Sequence, residues 1–328
     1  MLGADFFAAN DLLIDMKRRR LVSSYGRTII EASTTTAPCN IFEIKFPHQQ
    51  PTNKFELILD EFPGISTPNF NSNQRAQHNI EHFIPTNRPL LPSKPRRLAL
   101  DKLQATKEAF QEMVELGIAR ESDSPCSSPL HMVPKPSWEW HPCGDFKHLN
   151  DVTVGDRYPL PHIHNFNGSL ARKKIFSTIN LLLGFHHILV SKKDIHKTAI
   201  ITSFGLFEFL RMPFGLKNAA QAFQRLMDGI LANIDYVFVY LDEILVASET
   251  EEEHAEHLRT VLGLLHRNGV TVNIKKCNFS KEEVKYLGYL VSATGIRVLP
   301  EKAASITDYP IPKDAKALKR FLGMTGYY

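Results

Sequence analysis

The sequence predicts an α+β fold, an antiparallel sheet bearing hairpins with helices packed on one face. Three observations predict it. Two apolar runs, Val237 to Tyr240 and Ile244 to Val246, are rich in β-branched and aromatic residues and flank an acidic pair, Asp242 and Glu243, as arms flank a hairpin tip. Upstream, Phe223, Leu226, Met227, Ile230 and Leu231 recur at the spacing of a helical stripe that packs on a sheet, within a helix expected over 219–233. Downstream, Thr250 and Glu253 form a capping-box pattern ahead of the buried stripe Leu258, Val261, Leu262 and Leu265, and Asn268-Gly269 closes that second helix.

Taken in order, the chain opens with a turn-rich segment, a strand at Leu12 to Met16 and the basic run Lys17 to Arg20, which suits a nuclear signal, a phosphate contact or a plain solvated edge. Residues 23–60 alternate strand-like pieces with Ser/Thr/Pro turns, and Leu57 to Phe62 reads as one helical turn stopped by Pro63-Gly64. Six prolines between Pro63 and Pro95, among Asn, Gln and Ser, give a linker composition that ends in the basic cluster Lys94 to Arg97, and the main boundary is expected there. A helix follows, capped by Asp101, with Leu103, Phe110, Met113 and Val114 on one face and Gly117 at its end. After the turn Ser124 to Pro129 come a strand at Leu130 to Val133, then Lys135, Trp138, Trp140 and His141. A basic residue beside exposed aromatics can hold a triphosphate and stack on a base; a turn lysine beside two core tryptophans accounts for the pattern equally well.

The strand Ile175 to Ile179 ends at Asn180, further strands fill 200–210, and Met212 to Gly215 makes a tight loop. Past the acidic hairpin, Val284 to Val291 and Ile296 to Leu299 read as a second hairpin, Pro300 opens a helix, and a last helical pattern starts near Lys313 and is cut at Tyr328.

Composition narrows the function classes. With 328 residues, 43% hydrophobic and 23% charged, the chain has room for a sizeable core and more than one domain. A net charge of +4 permits a polyanionic partner without demanding one. Cys39, Cys126, Cys143 and Cys277 show no CxxC spacing, so a reduced, intracellular protein without a zinc site is expected. No apolar run is long enough to span a membrane, and the N-terminus lacks the apolar stretch of a secretory signal.

Two carboxylates lifted from an apolar sheet at a hairpin tip are an unfavourable placement for charge. Oxygen ligands of this kind suit Mg²⁺ or Mn²⁺, although an acidic surface turn has the same composition.

Four blocks make the chain resemble the reverse transcriptase region of gypsy-type LTR retrotransposon pol polyproteins: Cys143-Gly-Asp-Phe-Lys-His-Leu-Asn150, Asp156-Arg-Tyr-Pro-Leu-Pro161, Phe207 to Leu216 around Met-Pro-Phe-Gly, and Tyr240-Leu-Asp-Glu-Ile-Leu245. Lys276 to Phe279, Tyr286-Leu-Gly288 and Phe321-Leu-Gly323 continue the likeness, which covers about 92–328. Leu2-Gly-Ala-Asp-Phe6 separately resembles the C-terminal piece of a retroviral-type aspartic protease, without that family's catalytic Asp-Thr/Ser-Gly. The resemblance implies a protease remnant at 1–22, a partly disordered linker at 23–91, the fingers and palm of a right-hand polymerase at 92–298, and the start of a truncated thumb or connection at 299–328. RNase H and integrase regions are not found. The expected partners are an RNA or DNA template with primer and a dNTP, with no membrane, in the cytoplasm (virus-like particle) or nucleus.

The family chemistry is RNA-directed DNA synthesis by nucleotidyl transfer with two Mg²⁺ or Mn²⁺ ions, usually held by three aspartates. Those positions carry Asn180, Asp242 and Glu243 here, so one charge is lost and one carboxylate sits a methylene further out. A missing charge beside a metal is worth several kcal/mol at an effective dielectric of about 20. A displacement of roughly 1 Å can cost on the order of a hundredfold in rate. An impaired polymerase is therefore expected, with a nucleic-acid-binding protein without catalysis or a non-functional fragment of a decayed element as the alternatives. By the same resemblance Phe185 is the steric gate against a ribose 2′-hydroxyl, and Phe214 and Gly215 line the nucleotide pocket. Lys135 is a triphosphate lysine, His141 replaces a base-stacking arginine, and Asp145 and Lys147 support the template side.

Overall fold

The computed structural model describes residues 12–15, 20–23, 28–31, 54–68, 70, 78–134, 140–162, 166, 168, 170, 172–232 and 234–326. The chain divides into two compact units, Met1–Leu57 and Ile58–Tyr328. In the first, strands Leu12–Asp15, Arg20–Ser23 and Thr28–Glu31 pair antiparallel in chain order, so the strand expected near Leu12 is present. The Leu2 to Phe6 likeness to a protease lies outside the described residues.

The second unit centres on a four-stranded antiparallel sheet in the order Val237–Tyr240, Glu243–Ser248, Ile175–Asn180, Asn278–Lys281. Side-chain alternation gives the sheet two buried faces. On one, Phe176, Leu245 and Ala247 join Phe238, Val284, Tyr286, Tyr289 and Val291 in a single apolar cluster. On the other, Ser177 and Val246 lie under the helix Glu251–Arg267, whose Leu258, Val261, Leu262 and Leu265 are fully buried. There His254 takes both Ser177 Oγ (2.6 Å) and Ser248 Oγ (2.7 Å), so a buried imidazole ties the helix to two strands. The capping box forms as predicted: Thr250 Oγ1 accepts from Glu253 N–H at 3.2 Å. The helix Ala219–Ile230 buries the predicted stripe of Phe223, Leu226, Met227 and Ile230.

The segment read as one hairpin over 284–299 is a three-stranded sheet, Glu283–Tyr286, Tyr289–Ser292 and Gly295–Val298, and it covers the helix-free face. Its extra turn falls at Leu287-Gly288, with φ of 50° and 83°. Two successive left-handed residues suit a tight hairpin turn, but Leu-Gly announces it less clearly than Asn-Gly.

A five-stranded mixed sheet runs Ala119–Glu121, Leu206–Phe209, Ile200–Ile201, Ser128–Pro134, Trp140–Gly144, with the Ile200–Ile201 and Ser128-Pro129 pairing parallel. The helix Leu100–Glu115 packs beside it through Phe110. Ala99, not Asp101, is the N-cap residue; Asp101 lies in the first turn, where its charge still favours the helix dipole. Trp140 is half-buried with Lys102 Nζ 4.0 Å from its ring centroid, while Trp138 falls outside the described residues.

The linker expectation is corrected for the described residues of 58–91. Ile65, Phe70 and Ile84 are buried, and Glu81–His82 pairs in parallel with Leu189–Val190. Ile84 N–H donates to Asp194 Oδ2 at 2.9 Å. The boundary therefore falls between 57 and 58. Prolines fit extended chain laid over a sheet as well as they fit a linker, and composition alone does not separate the two. At the other end, helices Pro300–Thr307 and Ala315–Thr325 follow, the second capped by Asp314 through Ala317 N–H at 2.7 Å. Among the described residues no helix is long and apolar enough to cross a membrane.

Candidate active site

The acidic hairpin forms at the predicted place. Tyr240 pairs with Glu243 across a two-residue turn, and Leu241 adopts φ 52°, a left-handed conformation that L-residues rarely take. Glu243 is in turn the cross-strand partner of Asn180, and Leu181 N–H donates to Asp242 O at 2.9 Å. The three positions thus converge at one end of the sheet. Burial and the neighbouring Asp242 both push the Glu243 carboxyl up, while hydrogen bonding from the Leu287 backbone amide and the charge of Lys276 act the other way. The Leu287 contact turns the Glu243 carboxylate toward the 283–298 sheet, and Tyr286 Oη donates to Glu243 O at 2.9 Å from below. Behind Asn180, Cys277 Sγ accepts the Asn180 N–H at 3.3 Å, and burial raises this thiol to about 11.

Two carboxylates and one amide oxygen form a hard-oxygen donor set, in which burial first and the neighbouring Asp242 second raise Glu243. The residues fit a divalent cation in chemistry, with one charge fewer than three carboxylates supply. Among the described residues no group of three or more His, Cys, Asp and Glu side chains forms a metal cluster.

The remaining predicted residues connect to the hairpin through short contacts. A Cβ on Gly184 would stand 3.3 Å from Asp242 Cβ and 3.1 Å from Phe223 Cζ, so glycine lets this turn approach the carboxylate. Phe185 follows, its ring edge-on to Phe214 (centroids 4.7 Å apart) and tilted against Phe223 (5.2 Å). Phe214 remains 44% exposed, which leaves this small aromatic wall open on one side. Gly215, at φ 91°, packs against Phe146 and the carbonyl of Gly144. Between these two, Asp145 is held by Arg96 (2.7 Å), and that bond, aided by Lys147, keeps its carboxyl below the usual range. Lys147 begins the exposed first turn of the helix Lys147–Val152. His141 is exposed on Trp140–Gly144 and lies near enough to His186 for their charges to interact. Lys135 lies outside the described residues.

Sequence reading missed the polar side chains that hold these loops. Asn150 donates to Gly215 O (2.8 Å) and accepts from Lys217 N–H (2.9 Å), which fixes the 212–217 loop on the Lys147–Val152 helix. Gln224, fully buried beside Phe223, bonds the hairpin itself. A glutamine next to the apolar stripe of a sheet-packing helix was the signal available for it.

An antiparallel sheet with a carboxylate hairpin along one side, helices on one face and an aromatic wall beside the hairpin has the arrangement of the palm of a right-hand polymerase. Residues 133–291 match the family described as reverse transcriptase (RNA-dependent DNA polymerase). The retrovirus-related Pol polyprotein from the Drosophila melanogaster transposon opus is 38% identical over 339 residues, an alignment covering 100% of this chain and 33% of that protein. The Pol polyprotein from transposon gypsy of the same organism is 37% identical, over 66% of this chain and 22% of its own length. The chain therefore spans about a third or less of these relatives. Among solved structures, a foamy viral protease-reverse transcriptase in complex with dsDNA superposes with a TM-score of 0.71 at 24% identity, covering 83% of this chain and 57% of that one. The same viral protein in complex with an RNA/DNA hybrid gives 0.70 at 22% identity, covering 93% and 42%. These likenesses establish the fold. The chain belongs to the reverse transcriptase family, in the form carried by LTR retrotransposon Pol polyproteins.

Proposed function

We propose that this chain is a template-directed DNA polymerase domain whose catalysis is weakened at its carboxylate site. The observation that carries the reading is the meeting of Asp242, Glu243 and Asn180 at the hairpin end of the sheet, beside the Phe185–Phe214 wall. Asp242, Glu243 and the Asn180 amide oxygen would hold Mg²⁺ or Mn²⁺, and such ions activate a primer 3′-hydroxyl and neutralise charge on the transferred phosphoryl. Phe185 excludes a ribose 2′-hydroxyl and so favours a dNTP, while Phe214 and Gly215 shape the same pocket. Asp145, fixed by Arg96, holds the loop near the template with Lys147; the family resemblance gives Lys135 the triphosphate and puts His141 in the place of a base-stacking arginine. The RNA/DNA hybrid and dsDNA named for the foamy viral proteins are the duplexes this palm would grip. The chain would work as one section of a longer polyprotein, as in relatives three times its length.

Asn180 favours a second reading, a palm that grips primer–template without extending it. Primer extension on poly(rA)/oligo(dT) in Mg²⁺ and in Mn²⁺, with Asp242→Ala as the blank, decides between them. Extension above the blank supports the polymerase. Silence from a folded sample that binds template rejects catalysis and leaves the binding protein.

A further inference from the structure

The hairpin that presents Asp242 has an unusual support. Its arm Val237–Tyr240 is the edge of the four-stranded sheet, so among the described residues no strand lies beside its outward backbone groups. Gln224, 0% exposed in the helix Ala219–Ile230, fills that place. Its Oε1 accepts from Leu241 N–H at 2.9 Å, and its Nε2 donates to Val239 O at 3.1 Å. One side-chain amide thereby pairs with residues 239 and 241 as a single residue of a parallel neighbouring strand would.

The amide has a fixed orientation. Its second Nε2 hydrogen goes to Asp228 Oδ1 at 2.8 Å, and Asp228 Oδ2 accepts from Tyr158 Oη at 2.7 Å. A flipped amide would set its oxygen against a carboxylate and a carbonyl at once. Arg225 lies 4.5 Å over the Tyr158 ring and bonds Asp156 at 2.9 Å, which anchors the outer end of the chain. The inner end is Leu241, whose left-handed backbone persists only where its surroundings over-determine it. Asp242 is the next residue.

We infer that Gln224 is a positioning residue: its amide, oriented by Asp228 and Tyr158, completes the hairpin edge and sets where Asp242 points its carboxylate. The inference rests on the reading of Asp242 as a metal-binding carboxylate. An ordinary buried glutamine would contribute to stability alone; a positioning one also governs metal affinity in protein that is fully folded.

The test uses the full chain and three variants, Gln224→Leu, Tyr158→Phe and Asp242→Ala, well below their melting temperatures. Hydrogen exchange is followed at the Leu241 amide, and Mn²⁺ affinity is measured by electron paramagnetic resonance. Gln224→Leu should speed exchange at Leu241 on the order of tenfold, leave Leu245 and Val246 protected, and weaken Mn²⁺ binding by about tenfold, the scale of one buried hydrogen bond lost. Tyr158→Phe, which leaves the buried amide in place, should shift both readouts the same way by roughly twofold to threefold, and it carries the test if Gln224→Leu does not fold. Unchanged Leu241 exchange, or Mn²⁺ affinity within about twofold of the parent beside a lowered melting temperature, overturns the inference. If Asp242→Ala leaves Mn²⁺ affinity unchanged, the metal reading fails instead, and Leu241 exchange still decides whether the clamp exists.

Discussion

Replacing Asn180 by Asp should make the metal-free protein less stable and the metal-bound protein more so. Position 180 is the cross-strand partner of Glu243 and adjoins Asp242, so the new carboxylate enters an acidic corner where the Glu243 carboxyl is already pushed up. Paired residues of an antiparallel ladder have Cα atoms about 5 Å apart, and unit charges at that separation repel by roughly 3 kcal/mol at an effective dielectric of ~20. All three positions are half-exposed, and screening reduces that to about 1–2 kcal/mol. For a unit of this size the loss corresponds to a melting temperature lower by roughly 3–6 °C in EDTA. A divalent ion at about a hundred times its dissociation constant returns ~2.7 kcal/mol, so Mg²⁺ or Mn²⁺ should more than restore the difference. The assay is a thermal melt of parent and Asn180→Asp in EDTA, Mg²⁺ and Mn²⁺. Equal melting temperatures in EDTA, or a metal-induced shift no larger than the parent's, would refute the placement of a shared ion between 180 and 242. In primer extension, Asn180→Asp with Glu243→Asp should exceed either single change, and equal activity would locate the lesion elsewhere.

Two other expectations rest on particular side chains. Burial pushes His82, His186 and His254 down to about 4 and His187 to about 3. Imidazoles that protonate more readily in the unfolded chain, near 6.5, leave stability intact above that pH and remove it as pH falls toward 4. At pH 5 each costs ~2 kcal/mol, about 8 kcal/mol together, which is comparable to the whole stability of an ordinary domain. The urea midpoint should be flat above about pH 7 and fall steeply between ~6.5 and 5; a midpoint unchanged at pH 5 would contradict the neutral, buried assignment. Phe185→Ala in the repaired enzyme should relax discrimination against ribonucleotides, because the ring closing the wall with Phe214 is gone; unchanged selectivity reduces Phe185 to packing against Phe223.

The parts legible in the sequence were those with a period or a compact motif. The Phe223 to Ile230 stripe, the Thr250–Glu253 cap and the Tyr240–Glu243 hairpin each need only neighbours along the chain to declare themselves. The convergence of Asn180 on Glu243 was readable only through the family resemblance, since nothing local to a strand end at 180 points to a hairpin about sixty residues on. Residues 78–93 were illegible for the opposite reason. His82 and Ile84 there are buried through Leu189–Val190 and Asp194, about a hundred residues away, and no local pattern carries that information. Gln224 was hidden in the same way: its partners lie across the sheet edge, and a helix written on one line shows only that a polar residue stands beside a stripe. Asp101 failed as a cap because the helix begins two residues earlier than a cap there requires, a shift that propensity does not resolve.

Cys277 gives the strand that ends at Asn180 a built-in clock. Its thiol is clasped between Asn180 N–H and Asn273 O (3.2 Å), and at about 11 it carries roughly a hundredth of the thiolate of an ordinary cysteine at neutral pH. At neutral pH it should therefore react slowly with an alkylating reagent. The side chain is only half-buried, so the raised thiol and its two hydrogen bonds are what should slow its modification, and the labelling rate of this one peptide should track how firmly the strand end behind Asn180 is held.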